Sequence, residues 1–257
     1  MNSIQRSLIE KVGNDNGFEY VVSSDIECVL LASARHPNRA LIRHSSGLYQ
    51  VQFQTASPSL LPELRRSFPS IEVASGGLAL KSEAELAAVL RRASGLSQAL
   101  PSQAAKDFHK DVAAELAKLP ESIVGTEIER VVRQRVGQNK FRDALLEYWG
   151  GACAVTGVEI PEVLRASHAK PWAECESDAE RLDVFNGFLL TANLDALFDR
   201  FLISFDEKGL LVTSPRLTGR DLTLLGLTVG MRLRWLDPCH ETYLLIHRER
   251  TLKNSCL

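Results

Sequence analysis

The chain has 257 residues, 45% hydrophobic and 24% charged, a composition that excludes disorder over most of its length. Its 30 basic and 32 acidic residues leave a net charge of −2, so no global field attracts nucleic acid or a membrane, although a local basic patch remains compatible with that balance. No apolar run approaches the roughly 20 residues that span a bilayer, and the N-terminal segment lacks the basic-then-apolar build of a secretion signal. Cys28, Cys153, Cys175, Cys239 and Cys256 are odd in number and never form a C-x-x-C pair, which argues against a disulfide scaffold or a four-cysteine zinc site. A reduced, cytoplasmic protein without a membrane partner is expected.

The first third reads as mixed α and β. A short amphipathic helix is expected over 3–12, stopped by the Gly-Asn-Asp-Asn-Gly run at 13–17. Strand-like stretches follow at Tyr20–Ser23, Glu27–Ala34, Arg39–His44 and Leu48–Phe53, with Ser45-Ser46-Gly47 as a tight hairpin connection. In the last of these, Leu48, Gln50 and Gln52 alternate with Tyr49, Val51 and Phe53, placing the two sets on opposite faces. A helix near 59–67, a short strand at 71–74 and a helix from Ser82 to about Ser94 complete a unit over residues 1–95. Ser82 with Glu85 three residues on has the spacing of a capping box. The small, polar segment 96–106 reads as a linker to a second domain over 107–257.

That second part opens with helices expected at 107–119, 121–136 and 138–149, then changes after Gly150-Gly151 to short strands and turns. A strand is expected at Leu164–His168, another at Phe188–Leu190, and a short helix near 192–200, with Asn193 as its N-cap. A strand pair, 202–205 with 210–212, and a last helix opened by Asp237-Pro238 close the chain. The fold class expected is α+β: an N-terminal mixed domain, a helical lead-in, and a small strand–strand–helix core at about 153–205.

Within that core, Asp195 and Asp199 stand four apart on the short helix, so both carboxylates share one face. Two such oxygens suit a hard divalent cation such as Mg²⁺ or Mn²⁺. A histidine brought opposite that cation, His168, can deprotonate water near neutral pH. Base and metal facing each other across a strand–strand–helix frame are what phosphodiester hydrolysis needs. Each residue also has an ordinary reading: Asp195 as a first-turn helix charge, Asp199 as a surface ion-pair partner, Asn186 before Gly187 as a turn.

Five blocks in order narrow the choice: Arg135-Val-Gly-Gln-Asn-Lys-Phe-Arg142, Cys153-Ala-Val-Thr-Gly157, Ala166-Ser-His-Ala-Lys-Pro-Trp172, Asn186-Gly-Phe-Leu-Leu190 and Leu194-Asp-Ala-Leu-Phe-Asp-Arg200. Together they resemble the HNH endonucleases, ββα-metal nucleases, over roughly 130–254. The resemblance implies a general-base role for His168, a loop-holding role for Asn186, and a metal-ligand role for Asp195 at the third-letter position, making the spelling H-N-D. Ser167 stands where many relatives carry an aspartate ligand, so Ser167, Asp199 or water completes the shell. Cys153 has Thr156 where a second zinc cysteine would fall, so no structural zinc is expected and packing must hold that turn.

Residues 130–142 contain Arg130, Arg133, Arg135, Lys140 and Arg142 with no acid, either a solvated helix face or a surface that tracks phosphates. Arg165 and Lys170 flank His168 and are further candidates for phosphate contact. The remaining histidines carry no supporting pattern. The implied activity is metal-dependent DNA hydrolysis, nicking as a monomer, in restriction or anti-phage defence, with duplex DNA and a homodimer or defence-system component as partners. The alternative is a catalytically degenerate HNH fold that binds DNA or protein.

Overall fold

A computed structural model of the chain describes residues 1–55, 57–74, 77–119 and 125–254. The start of the helix expected at 121 and Cys256 lie outside these residues. The chain divides into two compact units, Met1–Gln103 and Ala104–Leu257.

The first unit is a six-stranded antiparallel sheet with three helices. Its elements are α1 (Ser3–Asp15), β1 (Tyr20–Ser24), β2 (Val29–Ala32), β3 (Arg39–Ser45), β4 (Leu48–Gln54), α2 (Leu60–Ser67), β5 (Glu72–Ala74), β6 (Gly77–Leu80) and α3 (Glu83–Ala99). The strand order is β1-β2-β3-β4-β6-β5. The expected alternation holds, since Tyr49 and Val51 are buried while Gln50 and Gln52 are half-exposed. Val29, Leu31, Ala40, Ile42, Leu78 and Leu80 add to the same buried face, with Ile9, Leu64, Leu86 and Leu90 from the three helices. Ser46 and Gly47 both have positive φ (53° and 78°), the twist-matched geometry of a two-residue hairpin turn. Ser82 caps α3 through the Glu85 N–H, but the Glu85 carboxylate accepts from Lys81 N–H instead of completing the expected box. The segment expected as a linker is largely helical: α3 runs to Ala99, and α4 (Pro101–Leu116) begins after Leu100. Residues 96–106 are thus mostly helical, in two helices separated by the extended Leu100.

In the second unit, α5 (Thr126–Tyr148) is one helix where two were expected. Gly137, taken as a break, lies inside it because the backbone meets an indole: a Cβ there would sit 2.1 Å from Trp172 Cη2. Gly137, Phe141, Ala144, Leu145 and Tyr148 form its buried stripe. There follow β7 (Leu164–His168), α6 (Asp178–Arg181), β8 (Gly187–Thr191), α7 (Ala192–Phe198), β9 (Ile203–Phe205), β10 (Leu211–Thr213), α8 (Gly219–Leu224) and α9 (Glu241–Lys253). Strands β7 and β8 pair antiparallel with His168 opposite Gly187, and β9 pairs antiparallel with β10. Both α5 and α7 pack on β7 and β8. Residues Gly187 to Leu190 are all buried, and Phe188 joins Trp149, Phe198 and Phe205 in an aromatic core.

The turn at Cys153 is held by hydrogen bonds. Its Sγ accepts from the N–H groups of Val155 and Thr156 at 3.5 and 3.4 Å. Arg234 Nη1 reaches the carbonyls of Trp149, Ala152 and Cys153 at 3.2–3.3 Å. Among the described residues, no helix is long and apolar enough to cross a membrane.

Candidate active site

Strand β7 ends by presenting Ser167 and His168, and the glycine opposite is a requirement of packing. A Cβ on Gly187 would lie 2.2 Å from the Ser167 carbonyl oxygen and 2.8 Å from Phe141 Cζ. The space a side chain would fill belongs to Phe141, whose ring stacks on His168 at 3.7 Å between centroids and 17° between planes. Trp172 meets the other side of the site edge-on, 5.8 Å from the imidazole.

The His168 imidazole is oriented by main chain. Its Nε2 donates to the Arg181 carbonyl at 2.9 Å, so the proton of the neutral ring resides there and Nδ1 keeps its lone pair. Nδ1 has no partner among the described residues. Burial pushes the pKa of His168 down to about 4, against the opposing pull of the Arg181 carbonyl, and the ring is neutral at pH 7.

The loop between β7 and β8 is tied down by two side chains. Asn186 is fully buried. Its Oδ1 accepts the Lys170 N–H at 2.8 Å, and Nδ2 donates to the carbonyls of Glu180 and Lys170 at 3.1 and 3.3 Å and to Cys175 Sγ at 3.4 Å. Its own carbonyl accepts Ala169 N–H at 2.9 Å, so both residues after His168 hang on Asn186. The Arg181 guanidinium donates to the carbonyls of Cys175 and Trp172 and to Asp178, and Asp178 also pairs with Arg133. The carbonyl that orients His168 therefore belongs to a residue fixed through three separate contacts.

Helix α7 carries Asp195, and Asp199 caps its C-terminal end. Asp195 accepts a hydrogen bond from the buried Ser167 hydroxyl. Ser167, expected among the metal ligands, thus directs its proton to a carboxylate and acts on that carboxylate's orientation. Asp199 has its pKa pushed up to about 6 by burial and by the Asp195 charge, with Arg200 opposing weakly. Asn193 does not cap α7; the cap is Thr191, whose hydroxyl donates to Asn193 Oδ1 at 2.7 Å. His168 and Asp199 line one cleft of about 490 Å³ together with Phe141, Arg142, Arg165 and Trp172.

Among the described residues, no three His, Cys, Asp or Glu side chains converge as a ready metal cluster. The donor set still suits one class of ion. Asp195 and Asp199 carry carboxylates near one another, with burial and then the Asp195 charge raising the Asp199 pKa, and Mg²⁺ commonly binds through one or two carboxylates while retaining water.

Most of the residues of the expected basic surface already have partners within the chain. Lys140 pairs with Asp111 at 2.7 Å, and Lys170 with Glu180 at 2.7 Å. Arg130 pairs with Glu127, and Arg133 with Asp178 and Glu129. Arg142 donates to the Leu164 and Pro161 carbonyls, where it fixes the entry to β7. Arg165 uses Nη1 on the Glu162 and Leu164 carbonyls but is exposed at the cleft. Of these seven, Arg135 alone is exposed without a protein partner among the described residues.

Sequence reasoning gave no role to Phe141, Arg181, Phe201 or His247. Phe141 lay in a quoted block, but its stacking partner is 27 positions away. Arg181 acts through its carbonyl, for which no side-chain signal exists. His247 lines the cleft, yet both ring nitrogens are engaged, Nε2 with the Phe198 carbonyl and Nδ1 with Ser204 Oγ, each at 3.0 Å.

Residues 153–206 match the family described as HNH endonuclease, a span running from the Cys153 turn through β7, β8, α7 and β9. This segment supports nuclease-type activity on nucleic acid, with a divalent metal as the general requirement of such enzymes. No curated protein matches the chain.

Proposed function

We propose that the chain is a divalent-metal-dependent endonuclease that hydrolyses DNA phosphodiester bonds, with His168 as general base. The observation that carries this reading is the state of His168: neutral at pH 7, with Nε2 fixed by a carbonyl and Nδ1 unpartnered, on the cleft that also holds Asp199. Nδ1 takes a proton from a water as that water attacks phosphorus. Nε2 stays on the Arg181 carbonyl, which steadies the imidazolium as charge develops. Phe141 and Trp172 confine the ring, and Asn186 keeps the strand end from drifting. Asp195 and Asp199 would hold Mg²⁺ or Mn²⁺, with Ser167 orienting Asp195. When bound, the ion supplies positive charge to the phosphate and the leaving oxygen. Arg165 and Arg135 are the cations left to meet the DNA backbone.

One such centre cuts one strand, so a single chain nicks, and a double-strand break takes two chains or two events. By resemblance, the activity belongs in restriction or anti-phage defence in the cytoplasm, with the first unit as the targeting or sensing part and a homodimer or defence-system component as partner. A second reading, a degenerate fold that only binds, is favoured by one observation: no three-ligand cluster stands ready among the described residues.

Supercoiled plasmid with Mg²⁺, Mn²⁺ or EDTA separates the two. Metal-dependent open circles from the wild type, lost in His168→Ala and in Asp195→Ala, are expected. Nicking that survives His168→Ala would overturn the assigned base, and DNA binding without cleavage under every metal condition would support the second reading.

A further inference from the structure

Helix α7 ends in a turn whose hydrogen bonds normally select glycine. Leu202 N–H donates to the Leu197 carbonyl and Phe201 N–H to the Phe198 carbonyl, both at 2.9 Å. This nested pair is the Schellman pattern, and it puts Phe201 at the left-handed position, with φ of 53°. Glycine occupies that conformation without steric penalty, whereas any Cβ crowds its own backbone. The only other described non-glycine residue with positive φ is Ser46, in a hairpin turn. An aromatic side chain here runs against the local preference of the chain, and such exceptions concentrate at functional sites.

The surroundings of the ring say what it can do. Phe201 lines the cleft that holds His168 and Asp199 and is half-exposed. It lies beside the His247 ring at 4.8 Å, with the Arg250 guanidinium 5.4 Å from its centroid. Arg250 is itself gripped by Glu174 through two bonds of 2.7 Å. Asn254 Nδ2 holds the Arg200 and Phe201 carbonyls at 3.2 and 3.1 Å, so the turn is secured by groups other than the phenyl ring. A hydrocarbon ring cannot hydrogen-bond a phosphate. The flat, apolar surface that a nucleic acid strand offers beside its phosphates is the face of a base.

On the endonuclease reading above, we propose that Phe201 is a base-stacking residue, binding a nucleobase of the cleaved strand next to the scissile phosphate. Every base has a π face, so the contact is tolerant of sequence and favours bases freed from pairing.

The test uses the full chain with Phe201→Gly and Phe201→Trp. Binding of a fluorescein-labelled single-stranded oligonucleotide is read by anisotropy in EDTA, alongside thermal melting and steady-state nicking. Phe201→Gly is expected to melt at or above the wild-type temperature, because glycine relieves the left-handed turn. It should bind single strands roughly tenfold more weakly, a stacking contribution of ordinary size, and raise KM more than it lowers kcat. Phe201→Trp should restore binding. A Phe201→Gly protein that melts lower and binds and cuts as the wild type does would make the ring a packing element and overturn the proposal. If the wild type fails to cut with any metal, the endonuclease reading falls, while the anisotropy arm still decides whether Phe201 contacts a base.

Discussion

The two ends of the Asn186 side chain meet opposite chemistry, and Asn186→Asp changes one of them. The substitution keeps an acceptor for Lys170 N–H but sets an oxygen where Nδ2 faced two carbonyls and a sulfur, in a fully buried site. A carboxylate there takes up a proton rather than stay charged against other acceptors. Holding it neutral at pH 7 against an unfolded value near 3.9 costs about 4 kcal/mol, roughly three units at about 1.4 each. The folded-state pKa is raised, so the penalty is nearly absent below pH 4 and grows by about 1.4 kcal/mol per unit as pH rises toward that value. Asn186→Ala instead leaves Lys170 N–H without its acceptor and opens a cavity, a loss of about 2–4 kcal/mol with no pH dependence of its own.

Urea unfolding of the three proteins at pH 5 and pH 7 reads this directly, each variant being compared with wild type at the same pH. Asn186→Asp should be roughly 3 kcal/mol closer to wild type at pH 5 than at pH 7, with Asn186→Ala displaced equally at both. Equal Asn186→Asp penalties at the two pH values would refute the reasoning, because the site would then be admitting water or a charge.

Three further outcomes follow from other contacts. Gly187→Ala drives a Cβ into the Ser167 carbonyl and Phe141, so β7 and β8 must part; a stability loss of about 1–3 kcal/mol and a nicking rate far below wild type are expected, and unchanged nicking would disprove the tight fit. His168 and His247 both have pKa values pushed down to about 4 by burial, so the unfolded chain binds more protons and stability falls as pH drops from about 6.5 to 4. Each contributes at most about 3 kcal/mol, and a urea midpoint flat across that window would contradict the neutral buried rings. Arg135→Ala should reduce the salt dependence of DNA binding by about one ion equivalent, whereas Lys140→Ala should leave it unchanged because Lys140 is paired with Asp111; the slope of log Kd against log salt checks both.

What could be read from the sequence was what neighbouring residues determine. Alternation in 48–53 placed Tyr49 and Val51 inward, whereas of the two aspartates expected on the short helix Asp195 lies within α7 and Asp199 caps its end. The strand β6 was missed because Gly77-Leu-Ala-Leu80 has neither alternation nor length, and becomes a strand only between β4 and β5. Gly137 and Gly187 were seen as a helix break and a turn, whereas Gly137 makes room for the Trp172 indole and Gly187 for the Ser167 carbonyl of the paired strand and the Phe141 ring.

The basic window misled for the same reason. A count along residues 130–142 finds no acid, but Asp111 and Asp178 reach it from elsewhere in the chain, and Glu180 likewise takes Lys170. Of the basic residues the sequence singled out, Arg142 and Arg165 line the cleft, and both already spend guanidinium bonds on backbone carbonyls. Asp199, its pKa raised to about 6 by burial and by the Asp195 charge, still carries negative charge at pH 7, and with Asp195 it repels a phosphate until a divalent cation arrives. DNA affinity at this cleft should therefore rise with divalent metal even where cleavage is blocked, because the ion that would assist hydrolysis also removes the main electrostatic obstacle to binding.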